Sequence, residues 1–164
     1  MKRALPTLLF TVFSLAACPP ARPPRTALDV RPEPPARPDL TPAAMTLFSP
    51  DGSPRLLLAP DGAVTDAEGA LVARFVGDGV VRPDERPWIT ARPDGAVDID
   101  GAPPLRWTRG GVARPDGTAL TLRADGRAVF TRGGETVEAP ARVSPSERRG
   151  PALLLVLIEM ARAR

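Results

Sequence analysis

The sequence predicts a mainly β fold: an antiparallel meander of short strands with degenerate repeats, followed by one short C-terminal helix. Three observations carry that prediction. Between Met45 and Val143, Asp-Gly occurs at 51, 61, 78, 94, 100, 116 and 125, with Glu68-Gly69, Gly110-Gly111 and Gly133-Gly134 in similar places. Glycine takes positive φ and aspartate hydrogen-bonds its local backbone, so these pairs are hairpin signals. The runs between them are short and alternate, and Ala152 to Ile158 is apolar without a break.

In chain order, Met1-Lys2-Arg3 is a short basic start, and Ala4 to Leu15 is apolar apart from Pro6, Thr7, Thr11 and Ser14. Leu15-Ala16-Ala17-Cys18 follows. That order reads as a secretory signal peptide over residues 1–17, too short for a bilayer span, which needs roughly 20 apolar residues. Leu15, Ala16, Ala17 and Cys18 together resemble the lipobox of bacterial lipoproteins. The resemblance implies cleavage before Cys18, attachment of a diacylglycerol to its sulfur, and acylation of the new amino terminus. Each buried methylene is worth about 0.8 kcal/mol, so two or three chains hold a protein on a membrane where one holds it marginally. Pro19, not aspartate, follows the cysteine, and in that family this implies the outer membrane.

Residues 18–43 are expected to be a disordered tether. Nine prolines fall between positions 19 and 42 with no aromatic residue among them, which leaves too little apolar area to repay ordering and favours an extended spacer. A β-rich domain is expected over 44–143. Leu105 and Trp107 share one face of a strand, as do Leu120 and Leu122, Ala128 and Phe130, and Val97 and Ile99. Period two with one apolar face means strands over a core. Ala91-Arg92-Pro93-Asp94-Gly95 recurs as Ala113-Arg114-Pro115-Asp116-Gly117, with an echo at Ala59-Pro60-Asp61-Gly62. The unevenness of that spacing excludes a strict solenoid. Residues 144–164 are expected to form the helix. Ser144-Pro145-Ser146-Glu147 has the form of a capping box, Gly150-Pro151 is expected to interrupt it, and Arg162 and Arg164 suit its carboxyl end. The apolar run is expected to pack on the sheet, a partner or lipid being the alternatives.

Composition narrows the chemistry. There is no histidine and no tyrosine, which removes most zinc sites and the Ser-His and Cys-His nucleophile pairs. Beyond residue 17 the chain carries 20 arginines against 19 acids, and so balanced a charge gives no field for nucleic acid. The single cysteine excludes an internal disulfide.

Asp98-Ile99-Asp100-Gly101 looks like part of a calcium loop, but Ala96 and Trp107 stand where further acidic ligands are required. Asp98 and Asp100 would project from one face of a strand. With Asp84 and Glu85 they could supply the acid and base of a glycosidase, although most acids here sit in turns. Trp88 and Trp107, if exposed, could stack on sugar rings; their alternating context favours burial. Arg74, Arg106, Arg109, Arg123, Arg127 and Arg132 could line a face that recognises anions, or a solvated one. No metal or cofactor is expected. The layout as a whole is similar to that of small envelope lipoproteins, with the membrane as partner through lipid and envelope proteins or cell-wall glycan as further candidates. The expectation is a non-enzymatic structural or protein-interaction module. The alternatives are a glycan-binding module and a carboxylate-dependent cell-wall hydrolase.

Overall fold

A computed structural model of the chain describes residues 38–163. Residues 1–17, Cys18 and the tether as far as residue 37 lie outside the described residues. Twelve strands follow in order: β1 Met45–Phe48, β2 Pro54–Leu58, β3 Ala63–Asp66, β4 Leu71–Val76, β5 Gly79–Val81, β6 Pro87–Ala91, β7 Ala96–Ile99, β8 Leu105–Trp107, β9 Gly111–Ala113, β10 Ala119–Leu122, β11 Arg127–Arg132 and β12 Glu135–Ser144. Each pairs antiparallel with the next, and β12 returns to β1 through Thr46↔Ser144, Leu47↔Val143 and Phe48↔Arg142. The meander therefore closes into a barrel, and only α1, Arg149–Arg162, remains outside the wall's hydrogen bonding.

One local device builds most of the turns. At 49–53, 59–63, 66–70, 82–86, 92–96, 114–118 and 123–127, the first N–H donates to the fifth carbonyl, and the fourth N–H to the first carbonyl. This is a type I turn closed by a residue in the left-handed region. In six of the seven, an aspartate at the third position accepts from the N–H of the fifth residue, as Asp61 does from Ala63 at 3.0 Å and Asp116 from Thr118 at 2.9 Å. The fourth position is glycine six times and Glu85, at φ 63°, once. The recurring Arg-Pro-Asp-Gly is thus a turn and not a structural repeat: 92–96 and 114–118 lie at opposite ends of the barrel, three strands apart.

The barrel needs its helix. Strands about 4.8 Å apart and tilted about 40° put a twelve-strand wall at a radius of about 12 Å. Side chains from the wall cannot meet across that width. A helix about 10–12 Å across leaves about 6 Å on each side, one layer of side chains. α1 fills the space, with Gly150 to Ile158 all buried and Leu154, Leu155 and Ile158 fully so. A helix apolar on every side is a helix surrounded by protein. It contacts β1, β2, β9, β10 and β12. The remaining half of the wall contributes the large residues Phe75, Trp88, Ile89 and Trp107 to the same core. Outward positions such as Arg55, Arg74, Arg106 and Arg127 are exposed.

Because a meander alternates, its connections fall at two ends. At the closed end, α1 starts and the described chain begins. Leu40 is 8% exposed within the core, the Asp39 carboxylate accepts from the N–H and hydroxyl of Thr41, and Arg148 lies 3.8 Å from Asp39. Residues 38–43, expected to belong to the tether, are therefore built into the barrel. At the open end α1 finishes, with Arg162 near Asp66 and Glu159 at 3.9 and 4.0 Å.

The expected capping box does not form. Ser144 is the last residue of β12, held opposite Thr46 by barrel closure, and the Ser146 hydroxyl donates to the carbonyl of Ala124. Arg148 stands at the N-cap without a side-chain bond to the helix, its guanidinium reaching instead to Asp39 and the carbonyl of Thr41. The helix expected to follow Gly150-Pro151 is present but takes both residues into its first turn, where proline's missing donor costs nothing. Gly150 has a packing reason: a Cβ there would stand 2.3 Å from the carbonyl oxygen of Asp39.

Candidate interaction surface at the open end

β12 is ten residues long, and β1 covers only its last three. The rest of it, Glu135 to Ala141, pairs on one side with β11 through Val129↔Glu138, Phe130↔Val137, Thr131↔Thr136 and Arg132↔Glu135. Its other side has no strand partner among the described residues. Closure removes the edges of a sheet, so this stretch is where pairing groups remain open to an added strand. Pro140 and the two glutamates are residues natural edges use against indiscriminate pairing. Glu138 takes both Arg123 and Arg127, at 3.0 and 3.3 Å. Val137 is 64% exposed, the most open of the large apolar side chains.

Two depressions flank the end of α1. An apolar cleft of about 520 Å³ lies between the last helical turn (Leu157, Met160) and the wall at Leu105, Val112, Leu120 and Phe130, with Arg114 and Thr118 completing its lining. Only about 40 Å³ of it is open to the centre of a water-sized body. Over the β1–β2 and β3–β4 turns, a polar groove of about 1140 Å³ holds Ser49, Asp51, Arg55, Asp66, Glu68 and Glu159. The Ser49 hydroxyl, on a buried residue, donates to the Asp51 carboxylate and holds that group below the usual carboxylate range, helped by the backbone of Ser53. Asp116 is lowered likewise, first by the backbone N–H and the hydroxyl of Thr118, then by Arg132 and Arg114. Among the described residues no group of three or more acids, cysteines or histidines is placed to hold a metal.

The residues singled out by sequence do not converge. Cys18, Leu15, Ala16 and Ala17 lie outside the described residues. Trp88 and Trp107 are 8% and 3% exposed, so neither ring presents a face for a sugar, which corrects their candidacy as ligand contacts. The cause is the wide lumen: the half of the wall away from α1 needs its bulkiest side chains. Trp88 lies at a register shift between β5 and β6 under the guanidinium of Arg82, and the Trp107 indole N–H is buried with no acceptor. Asp98 and Asp100 each take a separate arginine, Arg92 at 2.5 Å and Arg82 at 2.8 Å, and do not share a cation. Asp84 caps its own turn. The six arginines are spread over β4, β8, β11 and two closed-end loops and form no single face.

What sequence reasoning missed is the free edge and the cleft. A signal for the edge was present in Glu135-Thr136-Val137-Glu138-Ala139-Pro140, an alternating run with charges and a proline, the composition of a guarded edge strand. The cleft had none, because it exists only once α1 and β7–β11 are brought together. Comparison with known proteins finds no match to a family model, to a curated protein or to a solved structure.

Proposed function

We propose that the chain is a lipid-anchored lipoprotein of the cell envelope, on the outer membrane. Its barrel is a non-catalytic protein-interaction module that docks an extended partner segment on the free edge of β12. The observation that carries the reading is the placement of that edge. The described chain enters the barrel at the closed end, and the free stretch of β12 from Glu135 stands at the other. Strand addition supplies affinity through the main chain and leaves specificity to side chains such as Val137.

Direct insertion of the barrel finds no support in its dimensions. β1 to β11 run three to six residues, against about nine to eleven for a transmembrane strand. The outward arginines would face lipid, and no described helix is long and apolar enough to cross. The carboxylates are employed in turns and ion pairs, which favours the interaction reading over a hydrolase.

Metabolic labelling with a clickable fatty acid, joined to site-specific photo-crosslinking in envelopes, tests both halves. The chain is expected to take up label at Cys18, lose it in Cys18→Ser, and give a discrete crosslinked product from position 137 that is absent from position 106 on the far wall. An unlabelled chain that washes off vesicles in plain buffer would remove the anchor. Identical crosslinking patterns from the two positions would remove the docking edge.

A further inference from the structure

The apolar cleft at the open end has a chemistry of its own, independent of the β12 edge. Its apolar lining is formed by Leu157 and Met160 on α1 and by Leu105, Val112, Leu120 and Phe130 on the wall, and Arg114 and Thr118 complete it. Among the described residues Arg114 enters no ion pair within 4.0 Å. Arg114 is the one charged residue of that lining, and its neighbour Asp116 lies outside it. Apolar walls favour an aliphatic chain, and an arginine in the lining selects an anionic head.

We propose that this cleft binds a free aliphatic monocarboxylate, with its alkyl chain between the last turn of α1 and β8–β11 and its carboxylate on Arg114. Arginine presents a planar fork that pairs with both oxygens of a carboxylate. Met160 sits where the chain passes, and its unbranched thioether adapts to an irregular apolar guest.

Methionine-methyl NMR on the full chain is a direct test, because the three methionines are Met1, Met45 and Met160. Met45 is 3% exposed in β1 and serves as an internal control. Decanoate, titrated below its micelle concentration, is expected to shift the Met160 methyl saturably and leave Met45 in place. Acetate is expected to move neither, and decan-1-ol to bind about tenfold more weakly than decanoate, as is decanoate to Arg114→Gln, the loss of one charge-assisted contact. Arg114 is only partly buried and holds no ion pair among the described residues, so this variant is expected to keep the fold; Arg114→Lys, which retains the charge without the fork, is expected to fall between. Absence of a saturable Met160 shift, equal movement of Met45, or unchanged affinity in Arg114→Gln would each overturn the proposal. A shift produced by phosphatidylglycerol vesicles and not by decanoate would overturn it too, in favour of a membrane-bound acyl chain.

Discussion

The two ends of the barrel are made from the same turns and differ in what closes them. At the closed end, Leu40 and the start of α1 pack into one another, and Gly150 is small because the backbone of Asp39 presses on it. At the open end the last turn of α1 is half-exposed, β12 rises past the reach of β1, and Val137 stands in solvent. The difference teaches that stability and recognition are divided along the barrel axis. Groups that order the fold lie in the lumen and the closed end, and groups left without an internal task lie at the other.

The largest expected effect is in the lumen. Leu154 is fully buried at the middle of α1, and Leu154→Ala is expected to cost about 3–4 kcal/mol in denaturant unfolding, transfer and cavity terms together. Val137→Ala, at 64% exposure, should stay within about 0.5 kcal/mol. Comparable losses at the two positions would abolish the division. Next comes the closed end itself, where Gly150→Ala places a Cβ 2.3 Å from the Asp39 carbonyl oxygen. Although alanine favours a helix, the clash is expected to win by about 2 kcal/mol, and a stabilised variant would mean that residues 38–43 can leave the barrel freely.

Smaller effects refine the wall. Glu85 occupies the left-handed position of its turn, at φ 63°, where the six sister turns have glycine. Glu85→Gly is expected to stabilise by about 0.5–1 kcal/mol, because relief of the Cβ clash exceeds glycine's added freedom when unfolded. Trp107 loses volume but also an orphaned donor on mutation to phenylalanine. A buried unpaired N–H costs about 1–3 kcal/mol, so Trp107→Phe should fall within about 1 kcal/mol of wild type in the same unfolding measurement. A much larger loss would mean that water or an unseen acceptor serves the indole.

How much of this was legible follows from which forces are local. The turns at 49–53 or 92–96 are written in five consecutive residues, and the inward pairs Leu105 with Trp107 and Leu120 with Leu122 lie on one strand each, so both could be read directly. Closure was not, because the pairing of Thr46 with Ser144 joins residues almost a hundred positions apart. The same long-range contact overrode the local signal at Ser144, which looked like a helix cap and became the end of a strand. Ala152 to Ile158 read as apolar all round, but only the width of a twelve-strand wall explains why a helix of that kind is required. Arg114 in the turn after β9 and Met160 on α1 line one cleft, and no spacing in the chain announces it.

The smallest expected effect is electrostatic and touches both ends. Asp39 at the closed end is held below the ordinary carboxylate value of 3.8 chiefly by the Thr41 hydroxyl and then its backbone N–H, and Asp51 and Asp116 at the open end are lowered by their turn partners. A carboxyl with a lowered folded pKa gives up its proton more readily in the native state than in the unfolded one. Its stabilising contribution is therefore complete above the ordinary value and is lost as pH falls through the lowered one. The chain has no histidine, so no imidazole titrates between pH 5 and 8. Thermal unfolding should be level across that interval and decline only below about pH 4. All three carboxyls are exposed, so the decline should be modest and flatten further in salt. A step near pH 6.5 would require an ionising group that these turns do not contain. A separate contest decides between the ends: in Thr41→Val the Asp39 carboxylate loses its hydroxyl partner, and the acid limb should shift upward there without disturbing the open end.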